Sequence, residues 1–307
     1  TGVFSLAGSN DFSGGAVLMD GIFEAASANA MGAAGTITFD GGVFRHGAGN
    51  AQDYSSRMVA GPGSFYRIAT SGQTVTYASA LAGSGNGLEK TGPGTLVLNA
   101  SNTFDGATSV LAGKLAINAE DPPGANPAAS PASQLLLDGG TLNSTATFTL
   151  GDANRGVTLG VSGGTFETNA STTLTVSVPL TGAGQLTKTG LGTLLLTTVS
   201  THTGGTSVQN GTLAIGVTNA ISGDLTVSNG ATLNVGGNNL VLNSFIASGA
   251  GTKVIGSGSI DSATGFTLNA NSDIDVSAVL AGSGALSKIG NGTAVLSNAN
   301  TCTGNSS

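Results

Sequence analysis

The side chains able to do acid–base chemistry are few: two histidines, 16 carboxylates and nine lysines and arginines in 307 residues. They are densest where Arg45 and His46 precede Asp53, Tyr54, Arg57 and Arg67. An imidazole among guanidinium groups could hold an anion or the hydroxyls of a glycan. The blander expectation is a solvated loop between two strands, and that is the reading taken here. His202 falls where other copies of its segment carry Phe, so it is expected to pack rather than act as a base. Neither histidine sits in a local nucleophile motif, although triads assemble in space rather than in sequence. Asp273 and Asp275 are two residues apart and so share one side of a strand. Such a pair could take calcium or serve as acid and base; an outward strand face is the expectation. Gly83-Ser84-Gly85 precedes no helix, so it is not read as a phosphate cradle.

Lys90, Lys188 and Lys288 recur two residues after Leu88, Leu186 and Leu286 and are expected to lie individually on the surface. Cys302, the only cysteine, is expected to be a small buried residue rather than half of an intermolecular disulfide. The triplets that begin at Asn99, Asn143, Asn169, Asn210, Asn291 and Asn305 arise from composition, and no glycan is inferred. No catalytic, cofactor-binding or metal-ligating residue is therefore assigned, and no cofactor is expected.

The elements that would position these groups are short strands. Ile37-Thr38-Phe39-Asp40-Gly41-Gly42 has counterparts in Leu135-Leu136-Leu137-Asp138-Gly139-Gly140 and Leu225-Thr226-Val227-Ser228-Asn229-Gly230. Asp-Gly and Asn-Gly end such runs because Gly accepts positive φ and Asx side chains bond locally to the backbone. Val75-Thr76-Tyr77, Leu174 to Val178 and Ile274-Asp275-Val276 alternate apolar with polar, one face buried and one wet. Strands of roughly three to six residues with short turns fill the chain.

These modules recur in one order. Gly94-Thr95-Leu96-Val97-Leu98 aligns with Gly192 to Leu196 and Gly292 to Leu296, with a degraded copy at Gly2 to Leu6; the offsets are 92, 98 and 100 residues. A fixed long period means stacked repeats. The expected fold is all-β, a right-handed parallel β-helix (solenoid) of roughly a dozen coils. It is expected as a single solenoid over 1–307, with copies at about 1–87, 88–185, 186–285 and 286–307. Both ends interrupt the pattern, so the sequence reads as a piece of something longer. Segment 119–133, with four of the seven prolines, is expected to protrude as a stiff loop.

Composition narrows the partners. Charged residues are 8% of the chain, the formal charge is −7, and Gly contributes 51 residues. No basic patch can neutralise a phosphate backbone, which excludes nucleic acid; an anionic membrane surface is disfavoured for the same reason. No apolar run is long enough for a transmembrane helix.

Leu186-Thr187-Lys188-Thr189-Gly190-Leu191-Gly192-Thr193-Leu194-Leu195-Leu196, followed by Thr203 to Val208 and Gly211-Thr212-Leu213-Ala214-Ile215, closely resembles the autotransporter-associated β-strand repeat. This is the passenger-associated transport repeat of type V secreted bacterial proteins. Leu88 to Ile117 and Leu286 to Gly304 are further copies, and the resemblance runs through essentially the whole chain. It implies a β-helix passenger domain at the bacterial cell surface or outside the cell, acting in adhesion or as a stalk. The sequence departs from the pattern where the aromatic slot of Phe12 and Phe104 holds His202 and Cys302.

The expected function is a non-enzymatic extracellular passenger, with surface molecules or glycans of host or neighbouring cells as partners. Two alternatives stay open: a filament subunit associating end to end, and a carbohydrate-active β-helix enzyme. The latter needs acidic residues clustered on one face, whereas the carboxylates are spread along the chain.

Overall fold

Alternation of small and branched apolar residues with Thr and Ser gives strands whose single apolar face must be covered by a neighbour. The computed structural model describes residues 2–121, 123–125, 134–152, 154–271 and 273–307. Among them every strand pairing with a given register is parallel, for example Thr95–Leu98 with Lys114–Ile117 and Thr193–Leu196 with Thr212–Ile215. The only helical element there is one 3-10 turn, Ser55–Arg57. The fold is a parallel β-solenoid of about 13 turns, in line with the coils expected from the sequence.

The chain divides into two compact units, Thr1–Asn143 with Asn154–Val157, and Ser144–Ala153 with Thr158–Ser307. In the first unit one sheet stacks Val3–Leu6, Ile22–Ala25, Val43–His46, Phe65–Thr70, Gly87–Thr91, Thr108–Val110 and Leu135–Leu137 in that order. A second sheet stacks Ala16–Leu18, Ile37–Phe39 and Met58–Ala60, and a third stacks Thr74–Tyr77, Thr95–Leu98 and Lys114–Ile117. Its turns vary in length: Phe44 lies beside Ile68, 24 residues on, and Thr108 beside Leu135, 27 on. The core carries Phe39, Phe44, Tyr66, Tyr77 and Phe104, none more than 1% exposed.

In the second unit one sheet runs from Gly164–Thr168 through Leu186–Thr189, Thr206–Val208 and Asp224–Ser228 to Leu240–Ser248 and Ser259–Asn269. The other runs from Phe148–Leu150 through Thr173–Val176, Thr193–Leu196 and Thr212–Ile215 to Ala294–Leu296. Turns here are even: Leu186 pairs with Thr206, Thr206 with Leu225 and Leu225 with Phe245, steps of 20, 19 and 20 residues. Leu240–Ser248 and Ser259–Asn269 have nine and 11 residues, longer than the three to six expected. A register shift between Leu242 and Ser244 lets this pair bend and continue around a corner.

Candidate binding groove

Parallel register lines up equivalent residues of successive turns, so the outward faces are rows of side chains. In the second unit one such row is Thr165, Thr187, Ser207, Thr226, Ile246, Thr267 and Ser287. It carries hydroxyls and no charge. The outward face of the first unit differs. There Ser5, Glu24, Arg45 and Ala69 stand side by side, with Val3 beside Ile22 and Ile22 beside Val43.

The Glu24 carboxylate accepts from Arg45 Nε at 2.5 Å and from Ser5 Oγ at 2.9 Å. Arg67 Nη1 donates to Gly41 O at 2.7 Å, and its Nε lies 3.8 Å from Glu89. Between these pairs opens a cavity of about 430 Å³, lined by Ile22, Val43, Arg45, Ala69, Glu89 and Pro93 among others. Its floor is aliphatic and its rim carries one guanidinium and one carboxylate, a setting for a ligand with an apolar face and polar edges.

The charge-dense stretch is therefore not one solvated loop, and that expectation is corrected. Strand Val43–His46 has Phe44 and His46 buried while Val43 and Arg45 face out. His46 Nε2 lies 2.8 Å from the Tyr77 hydroxyl, inside a cage of Phe44 and Tyr54 rings with centroids 5.0 and 5.8 Å away. Burial pushes the imidazole down to about 4, against smaller opposing effects of the Asn50 backbone and Asp53. Tyr54 Oη donates to Ala28 O at 2.6 Å.

Arg57 is equally committed. Its guanidinium donates to the carbonyls of Met31, Gly32, Ala34 and Gly35, clamping the loop before Ile37–Phe39. Asp53 caps the backbone N–H groups of Ser55 and Ala78. Of this stretch Arg45 lines the groove, and Arg67 stands beside the groove's Glu89 and bonds the Gly41 carbonyl. His46 is buried against Tyr77, and Asp53, Tyr54 and Arg57 hold backbone in place.

The lysines also require a correction. Lys90 and Lys188 are fully buried. Lys90 Nζ donates to Thr91 O at 2.7 Å, Gly92 O at 2.8 Å and Ala112 O of the next turn at 3.1 Å. Lys188 Nζ repeats this with Thr189 O at 2.6 Å, Gly190 O at 2.8 Å and Asn210 O at 3.1 Å. All three ammonium protons are used. Gly92 and Gly190 hold φ of +72° and +71°, and a Cβ at either would run into the carbonyl of Thr70 or Thr168. Burial lowers both amines to about 8. Lys288 alone of the three is exposed.

His202 and the pair Asp273 and Asp275 lie as expected, the first packed and the other two outward. His202 is buried, 3.2 Å from Thr206 Oγ1, and burial lowers its pKa. Asp273 and Asp275 face outward, and no group of three or more metal-ligating side chains occurs among the described residues. Cys302 is half-buried. Of segment 119–133, residue 122 and residues 126–133 lie outside the described residues. The described part does not protrude: Pro123 and Gly124 are buried, and Ala125 N donates to Phe104 O at 2.8 Å. Arg155, which the sequence reading passed over, is fully buried and donates to Gly124 O at 2.9 Å.

Stacked parallel turns define the class of the fold, a parallel β-solenoid. Residues 88–117, 186–215 and 286–306 match the passenger-associated-transport-repeat family. The chain thus carries three copies of the autotransporter passenger-associated repeat. It is also similar to an adhesin autotransporter of Brucella suis biovar 1, "Adhesin BmaC autotransporter", at 37% identity over 175 residues. That stretch is 55% of this chain and 5% of the relative, so the chain spans a small fraction of the relative's length. No solved structure matches the chain.

Proposed function

We propose that this chain is an extracellular passenger segment of a bacterial surface protein that acts by adhesion and performs no chemistry on its ligand. The observation that carries this reading is the similarity to an autotransporter adhesin over more than half of the chain. The repeats support export to the cell surface or beyond. Within the chain, the groove lined by Ile22, Val43, Arg45, Ala69 and Glu89 is the favoured contact, and its partner is a surface molecule or glycan of another cell. Aliphatic floor and charged rim suit one apolar sugar or side-chain face flanked by hydroxyls or charges. Weak contacts of this kind gain strength when many copies act together on one cell.

The test is binding of fluorescently labelled chain to host or neighbouring cells, read by flow cytometry. Ala69→Arg, which fills the groove, is expected to lower binding at least tenfold, with Thr187→Ala on the second unit without effect. Equal binding by Ala69→Arg would remove the groove from the reading. Release of sugar or peptide fragments from the bound surface would replace adhesion by an enzyme.

A further inference from the structure

The same repeat positions occur in both units, and at one place different residues occupy them. Leu88 and Lys90 correspond to Leu186 and Lys188, and the register of each strand with the one before it extends the correspondence. Arg67 beside Glu89 and Ala69 beside Thr91 stand where the second unit has Thr165 beside Thr187 and Glu167 beside Thr189. The repeat by itself therefore requires neither the charged pair nor a small residue between. Ala69 interrupts the outward row Glu24, Arg45, Ala69, Thr91, and the gap it leaves is the centre of the groove. At the equivalent place the second unit puts the longer side chain of Glu167.

The two ends of this gap have spare bonding capacity of opposite kinds. Arg45 donates through Nε to Glu24, and neither of its Nη nitrogens has an acceptor among the described residues. What is left is a planar fork, the geometry that takes a carboxylate through two parallel bonds. Glu89 lies 3.8 Å from Arg67 Nε, too far for a hydrogen bond, and accepts none from another described residue. Its oxygens are left for donors such as a pair of adjacent hydroxyls. Ile22, Val43 and Pro93 line the space between. Arg45 and Thr91 are two strand steps apart, about 10 Å, which admits one six-membered sugar ring once the side chains reach inward.

Building on the adhesion reading, in which this groove is the contact, we infer that it takes one carboxylate-bearing sugar residue of the uronic acid type. The sugar carboxylate sits on the Arg45 fork, the C–H face of the ring on Ile22 and Val43, and two ring hydroxyls on Glu89. A neutral sugar loses the charge-assisted pair at Arg45. A simple acid, such as a peptide C-terminus, satisfies Arg45 but brings no paired hydroxyls to Glu89. Glu24 and Arg67 neutralise the two ends, so the site recognises where charge and hydroxyls lie rather than net charge.

The experiment titrates the full chain with methyl glucuronide and with methyl glucoside, which has a hydroxymethyl group in place of the carboxylate, and reads Kd from amide NMR shifts. The glucuronide is expected to bind roughly tenfold more tightly, as for one charge-assisted contact. Arg45→Ala is expected to bring the two sugars to equal affinity. Glu89→Thr, which installs the second unit's residue, is expected to weaken both by the same factor. Ala69→Glu, also the second unit's residue, is expected to abolish both and leave the melting curve in place. Equal affinities in the unsubstituted chain, or no binding of the glucuronide, would overturn the inference. So would N-acetylleucine, an acid with an apolar side chain and no hydroxyls, binding as tightly as the glucuronide. Cell binding separates this from the adhesion reading. A chain that binds cells, loses them with Ala69→Arg and ignores the glucuronide keeps the groove but not the acidic sugar. One that binds the glucuronide and no cell keeps the acidic sugar but not adhesion.

Discussion

The two units solve the same folding problem with different cores. The first uses rings and polar groups: Phe44 meets His46 and Tyr54 edge-on at centroid distances of 5.0 and 5.5 Å, and Phe39 meets Tyr66 at 5.4 Å. Its loops are held by Asn50, Tyr54 and Arg57 through bonds to specific carbonyls. The second stacks Leu174, Leu194, Leu213 and Leu233 in register, one per turn and each fully buried. Aliphatic stacking is tolerant of which turn sits above which, because each presents the same surface. Ring packing and directed hydrogen bonds are not tolerant, because each has one partner. The difference teaches where this solenoid can vary its length and where it has specialised.

The largest test of that comparison removes a whole turn from each unit. Excising residues 206–224 lets Leu225 fall where Thr206 stood, and the Asn229-Gly230 turn can replace Asn210-Gly211 beside Lys188. That variant is expected to keep its strand content and cooperative melting, seen by circular dichroism. Excising residues 44–67 brings Ile68 to the place of Phe44 but deletes His46, Tyr54, Arg57 and Tyr66. The first unit is then expected to lose protection from limited proteolysis altogether. Equal tolerance of the two excisions would erase the distinction drawn here.

A smaller effect is the pH response of the first unit through His46; His202 in the second is shifted in the same direction. His46 is held near 4 in the folded first unit, against about 6.5 in an unfolded chain. Between those values the unfolded state binds more protons, so stability rises with pH across that window. Acidification from 6.5 to 4 is expected to cost about 3 kcal/mol through this one group, the equivalent of some 2.5 pH units at 1.36 kcal/mol each. The check is urea unfolding of the full chain and of His46→Gln at pH 7 and pH 4.5. The variant should lose less stability on acidification. Identical losses would mean that the Tyr77 contact opens before the imidazole titrates.

What the two units share is the lysine cradle, and it predicts equal sensitivity. Lys90→Met and Lys188→Met each leave three inward carbonyls without their donor, expected to cost about 2 kcal/mol. Lys288→Met should stay within about 0.5 kcal/mol, as for an exposed side chain. Thermal melts of the three variants measure this ordering. A large gap between the first two would show that the cradles, alike in geometry, sit in units of unlike rigidity.

How much of this was legible beforehand follows from the same alternation. The strands around Gly94, Gly192 and Gly292 and their Gly-Asn-Asp turns are readable because period two and positive-φ turns are local signals. The orientation of Lys90 was readable too: Leu88 is two residues earlier on the same strand, so the face that buries one buries the other. Phe44 and His46 carry the same signal. What hides it is the usual solvation of charge, which made a surface lysine the default until three backbone acceptors came together. Those acceptors depend on Gly92 and on a turn 22 residues further on, which spacing alone does not reveal. The groove was less legible still, since Ile22, Ala69 and Glu89 come from three different turns. Arg155 gave no local signal at all, because its partner Gly124 is 31 residues away.

The finest test concerns the outward faces, where both units should respond alike in stability and unlike in binding. Arg45→Ala removes an ion pair that is partly exposed on both sides, and such pairs contribute about 0–1 kcal/mol. Thr187→Ala removes a hydroxyl from an outward row, an effect expected within about 0.5 kcal/mol. Neither substitution should move the melting curve by more than a few degrees, because neither touches the stacked interior. If the first unit's face is the one that meets a partner, Arg45→Ala weakens cell binding while Thr187→Ala does not. The near-neutral melts are what give that contrast meaning: a binding loss without a stability loss belongs to the groove, whereas a loss shared with unfolding would belong to the core beneath it. Should Thr187→Ala instead be the substitution that weakens binding, the hydroxyl rows of the second unit become the adhesive face and the first unit's groove a consequence of its irregular turns.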